Sequence, residues 1–150
     1  MRFEGKEILN APLDVVWNFV TDPHKVEACI PGLKSLEVIK DGKLFNAEVE
    51  IGLGSMKVGF SANVEWAELK KPIYAKMVAH GTAPGSAADV SSEMKLSEVE
   101  NGVELSWNAD ISIVGTIASL AARMMGSVTK KITGQFFKCL KSKIEEDINA

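Results

Sequence analysis

Acid–base, nucleophilic or metal-assisted chemistry requires an acid, a base, a nucleophile or metal ligands to converge in one cleft. The 150-residue chain has two histidines and two cysteines from which to assemble such a group. His24 follows a helix-start signal and His80 falls on the polar side of a strand, so both read as solvated side chains rather than a ligand pair. Cys29 and Cys139 lack the C-x-x-C spacing of a metal or redox pair and are expected as buried free thiols, their separation in space being left open. Glu48, Glu50, Glu65, Asp89, Glu93, Glu104 and Asp110 share the polar side of the strand candidates, where charge serves solubility. Gly52-x-Gly54 lies at a hairpin with no helix after it, which removes the phosphate-loop reading. Only Ser92 and Gln135 place polar atoms on the apolar side. The chain is therefore expected to have no catalytic residues, to hold no metal and no cofactor, and not to be an enzyme.

What the apolar side offers instead is volume and soft surface. Met56, Met77, Met94 and Met124 fall on the presumed inner faces, and Met125 does not. Phe45, Phe60, Trp66, Trp107 and Phe136 add aromatic wall. Flexible thioethers suit a wall that adapts to an apolar ligand, and they equally fill gaps in an ordinary core. Periodicity does not separate these two outcomes.

The elements that position these residues follow from the repeat pattern. Arg2 to Leu9 reads as a short strand. Pro12 opens a helix through Val20, and Asp22-Pro23 starts a second, short one that Pro31-Gly32 stops. From residue 35 the period becomes two. Asp41-Gly42 turns Leu36–Lys40 into Lys43–Leu53, and after Gly54 the residues Met56, Val58, Phe60, Ala62, Val64 and Trp66 share one face. Lys71-Pro72 is the next turn, Gly81 to Ser86 reads as a loop, and Asn101-Gly102 as a type I′ hairpin. One-sided alternation means an antiparallel sheet with one wet face. Its cover is the proline-free segment from Thr116 to Asn149, where Ile117, Leu120, Ala121, Met124, Val128, Ile132, Phe136 and Leu140 recur at helical spacing. Gly126 and Gly134 inside it suggest close packing or a bend.

Composition sets the outer bounds. Hydrophobic residues at 46% and charged ones at 25% are globular values, and the length fits one domain spanning residues 1–150. A net charge of -3 without a basic, aromatic-interleaved stretch argues against nucleic acid as partner. With neither a signal-peptide core nor an apolar run of membrane-spanning length, the chain is expected to be cytoplasmic.

Several strings then fall in a telling order. Ala11-Pro12-x-x-Val15-Val16-Trp17, Asp22-Pro23 and Cys29-Ile30-Pro31-Gly32 resemble the opening of the START/Bet v 1-like (SRPBCC) helix-grip superfamily. Gly52-Leu53-Gly54-Ser55-Met56-Lys57, Gly85-Ser86-Ala87, Gly115-Thr116-Ile117-Ala118-Ser119-Leu120 and Gln135-Phe136-Phe137 are similar to its CoxG-like branch, named for the G subunit of carbon monoxide dehydrogenase. The resemblance implies an α+β fold in which a curved seven-stranded antiparallel sheet grips a long C-terminal helix around a cavity. It also implies non-catalytic work beside a molybdenum-containing carbon monoxide dehydrogenase or related hydroxylase, and a lipid- or quinone-like ligand. Longer members carry a C-terminal anchor; the chain stops at Ala150 without one, so contact with a membrane is expected to be at most peripheral. The candidate ligand walls are Met56, Val58, Phe60, Met77, Met94, Trp107, Met124, Val128 and Phe136. Two other readings stand beside this one. In the first, a surface-acting assembly factor uses the Gly81–Ser86 loop and the Pro31-Gly32 turn; in the second, the chain is a cyclase or aromatase with polar groups inside.

Overall fold

Residues that alternate with period two must expose one face and bury the other, and the long apolar-striped helix supplies the burying surface. The computed structural model describes residues 1–149 and contains one seven-stranded antiparallel sheet. The chain runs β1 (Arg2–Leu9), α1 (Leu13–Thr21), α2 (Pro23–Val26), a 3-10 turn (Glu27–Cys29), β2 (Leu33–Lys40), β3 (Leu44–Leu53) and β4 (Met56–Lys70). It continues through β5 (Tyr74–Ala83), β6 (Ser86–Val99), β7 (Gly102–Gly115) and α3 (Ala118–Asn149). Strands β2 to β7 pair consecutively, and β1 closes on β7 from Arg2↔Asp110 to Leu9↔Val103, so the spatial order is β1-β7-β6-β5-β4-β3-β2. The two short helices carry the chain from one sheet edge to the other. This is the helix-grip architecture that the resemblance implies.

Local details depart from the sequence reading at several points. The expected Gly81–Ser86 loop shrinks to Pro84-Gly85, because β5 continues to Ala83 and β6 begins at Ser86. Gly81 is a buried strand residue against the Phe60 ring. The β6–β7 hairpin is not type I′: its two-residue loop is Glu100-Asn101, and of Asn101 and Gly102 only Asn101 has positive φ, at 68°. Gly102 is required for another reason, since a Cβ there would collide with the Leu9 carbonyl oxygen on β1. Gly126 and Gly134 lie in an unbroken helix with open space where a Cβ would project, so neither marks close packing.

The buried stripe of α3 is Ala121, Met125, Phe137, Leu140 and Ile144. It runs one position later than expected at Met125 and Phe137, and it leaves Gln135 exposed. The rotation of α3 is set by how it packs across the sheet, which the spacing of apolar residues along the helix does not fix. Cys29 and Cys139, expected as free thiols, form a disulfide with Cα atoms 5.3 Å apart. Spacing of 110 residues hides the pairing in the sequence, because it arises only when the 3-10 turn docks on α3.

Candidate functional site

The core forms two clusters, one toward each end of α3. Near its C-terminal half, Leu140, Ile144 and Phe137 pack with Val16, Trp17 and Phe19 of α1 and with Leu96, Val103 and Leu105 of the sheet. Near its N-terminal half, Ala121, Met125 and Ile117 pack on Leu53, Val58 and Phe60. Between the clusters the concave face is hollow. Val49, Ala62, Met77, Ala79 and Met94 point inward yet retain partial exposure, because they face a cavity instead of another side chain.

The main chamber has a volume of about 490 Å³. Its sheet wall includes Phe45, Val64, Trp66, Met77, Met94 and Trp107; Thr133, Phe136 and Phe137 of α3 form the roof, and Pro23, Val26, Ile30, Leu33 and Leu36 frame one side. A smaller chamber of about 180 Å³ lies toward the start of α3, between Phe60, Gly81, Ala88, Val90, Ile111, Ile113, Ile117 and Met125. The two share Val49, Ala62 and Ala79 as a common wall, so they adjoin.

The chemistry of this lining is nearly featureless. Its hydroxyls are Thr21, Ser92 and Thr133, and each donates to a backbone carbonyl: to Trp17 at 2.7 Å, Asn108 at 2.8 Å and Thr129 at 2.9 Å. Among the described residues no ionisable side chain lines either chamber. Nor, among them, is any group of three or more His, Cys, Asp or Glu arranged to hold a metal ion. Such walls suit an apolar molecule, and their three hydroxyl protons are already engaged.

The sequence-chosen walls divide between these places. Met77, Met94, Trp107 and Phe136 line the main chamber and Phe60 the smaller one. Val58 is buried in the second core cluster, with Met124 and Val128 packed against it. Met56 is 49% exposed, as the first residue of β4 after the β3–β4 turn. Met125, read as lying off the inner face, lines the smaller chamber. The wall contributed by Pro23, Val26, Ile30 and Leu33 was missed; the signal for it was the apolar spacing around Pro31-Gly32, too short to show a period.

The hydrogen bonds between side chains of neighbouring strands lie outside the chambers. His80 Nδ1 lies 2.7 Å from Asp89 Oδ1, Ser61 donates to Glu48 at 2.8 Å, and Arg2 donates to Asp110 at 2.9 Å. Tyr74 donates to Glu93 at 2.5 Å; that bond, followed by desolvation and the nearby negative charge, pushes the Tyr74 phenol up to about 12. The same bond, ahead of other causes, holds the Glu93 carboxyl below its ordinary value. A depression of about 640 Å³ surrounds His80 and Asp89, exceeding the inner chamber in volume. It is a saddle on the sheet with no second layer over it, and Asp89 and Asp110 are engaged with neighbours, so the inner chamber is the better-built site.

With this geometry in place, residues 5–145 match the CoxG family, described as the G subunit of carbon monoxide dehydrogenase. The chain belongs to that family. Among solved structures, a conserved protein from Geobacillus kaustophilus is similar at a TM-score of 0.89 and 25% identity, covering 97% of this chain and 96% of the other. The Zhui aromatase/cyclase from Streptomyces sp. R1128 superposes at 0.76 with 14% identity over 99% and 95% of the two chains. A protein from Thermus thermophilus gives 0.72 with 11% identity over 98% and 99%. The last two likenesses are of fold alone. No curated protein matches the sequence. None of the described helices is long and apolar enough to cross a membrane.

Proposed function

We propose that this CoxG-family chain is a non-catalytic carrier that takes up a hydrophobic or amphipathic small molecule between the sheet and α3. The observation that carries the reading is the main chamber of about 490 Å³, apolar on every side, with its three hydroxyls already donated to the backbone. A ligand there gains about 25 cal/mol for each Å² of apolar surface removed from water. A lipid- or quinone-like molecule suits the walls, and membership of the CoxG family supports accessory work beside a molybdenum-containing enzyme of the carbon monoxide dehydrogenase type. The setting proposed is cytoplasmic, with membrane contact no more than peripheral. Candidate walls are Met77, Met94, Trp107, Phe136 and Phe60, with Met56, Val58, Met124 and Val128 in supporting positions outside the lining.

Organic extraction and mass spectrometry of protein purified from its native host test this directly. A stoichiometric isoprenoid or acyl lipid is expected. Protein free of any apolar small molecule, together with no saturable quinone binding, would contradict it.

A further inference from the structure

One side of the main chamber is closed by residues 23–30, whose regular structure comes in two short pieces: α2 has four residues and the 3-10 turn three. Pro23, Val26 and Ile30 line the chamber together with Phe136 and Phe137 of α3. Both ends of this flap are fastened. Upstream, Phe19 and Val20 are buried in the core and the Asp22 N–H donates to the Phe19 carbonyl. Downstream, the Gly32 carbonyl accepts from the Glu50 N–H at 2.8 Å, and Gly32 has φ +79° with its Cα pressed against β3. Between these points the polar or covalent links to α3 are the Lys25–Asp147 pair at 3.8 Å and the Cys29–Cys139 disulfide. The ion pair is about half exposed on both sides and holds weakly. Apart from apolar packing around the buried Cys29, the covalent link is therefore the strongest tie between the flap and α3.

We propose that the Cys29–Cys139 disulfide is a redox latch on the mouth of the ligand cavity, shut when oxidised and released when reduced. This rests on the reading of the cavity as a binding site. Release is a thiol–disulfide exchange with a dithiol reductant. One thiolate of the reductant attacks Cys139 Sγ, the half-buried partner, and Cys29 leaves as a thiolate. The second thiol of the reductant then displaces Cys139, so the reductant ends as a disulfide and the chain holds two thiols. A disulfide oxidant reverses the step. Leu140 and Ile144 keep α3 in the core throughout, so the flap is the part that moves. A thiol-reducing compartment holds such a mouth open, and an oxidising one closes it over its contents.

Stopped-flow release of N-phenyl-1-naphthylamine, a neutral apolar fluorophore, measures the latch. Release is expected to be about tenfold faster after dithiothreitol than before it, a dissociation-rate effect at unchanged walls. The Cys29→Ser/Cys139→Ser protein is expected to release fast with or without reductant. Equal rates in the oxidised and reduced protein would overturn the latch while leaving the binding site standing. Two cysteines still alkylated after treatment with a disulfide oxidant would overturn it as well. If the fluorophore does not bind in either state, the binding reading fails and amide hydrogen exchange decides the latch. Faster exchange confined to residues 23–30 on reduction supports it, and unchanged exchange there overturns it.

Discussion

The two ends of α3 and its middle are built from the same residue classes and do different work. At the ends, Leu140, Ile144 and Ala121 are buried against close-packed neighbours, and the helix is held by them. In the middle, Thr133 and Phe136 meet space across from Met77 and Met94. Protein interiors normally close-pack, so a hollow bordered by the two core clusters is a feature to be explained. The lesson is that stability has been placed at the ends, which leaves the middle free to be empty.

Truncation should separate these regions most sharply. Leu140→Ala, at a site with no exposure, is expected to lower unfolding free energy by about 3 kcal/mol in urea titration, whereas Met77→Ala in the chamber wall should cost less than half of that. Loss of the disulfide comes next, since it closes a loop of 110 residues between the flap and the C-terminal end of α3. Cys29→Ser/Cys139→Ser is expected to cost about 2–4 kcal/mol, read as a lower unfolding midpoint than that of the oxidised protein. On the outer side of α3 the sign reverses. Gly126→Ala and Gly134→Ala add a methyl group where no atom lies within 4 Å, and each should stabilise by about 0.5–1 kcal/mol in the same assay.

The smallest effect belongs to the convex face. Tyr74 is the chain's one tyrosine, so an ultraviolet absorbance titration reports it alone and should show ionisation near 12. A folded-state value raised above the ordinary 10 contributes stability that is complete below pH 10 and fades as pH rises toward 12. Glu93, held below its ordinary value by the same bond, contributes stability above that value that is lost in acid. The difference in unfolding midpoint between wild type and Tyr74→Phe should therefore shrink above pH 10.

Alternation along Met56, Val58, Phe60, Ala62, Val64 and Trp66 made the sheet legible, because a strand's side-chain period is two whatever its surroundings. The grip of α3 was legible for the same kind of reason. Its rotation was not: choosing Met124 over Met125 requires knowing how a helix drifts across the sheet, which is a tertiary property. The hollow was also invisible, since Met77 and Met94 alternate identically whether they meet a side chain or empty space. The Cys29–Cys139 pair and the flap wall depend on contacts across 110 residues, and no local pattern encodes those.

Trp66 and Trp107 stand in the chamber wall, so a quinone bound there should quench tryptophan fluorescence. The most direct measurement is that titration, with a short-chain quinone, in wild type and in Ala62→Phe, which fills the wall shared by the two chambers. A carrier whose function lies in this cavity shows saturable quenching in the wild type and none in a folded Ala62→Phe protein. Equal saturable quenching in both proteins, or none in either, would contradict the cavity as the working site.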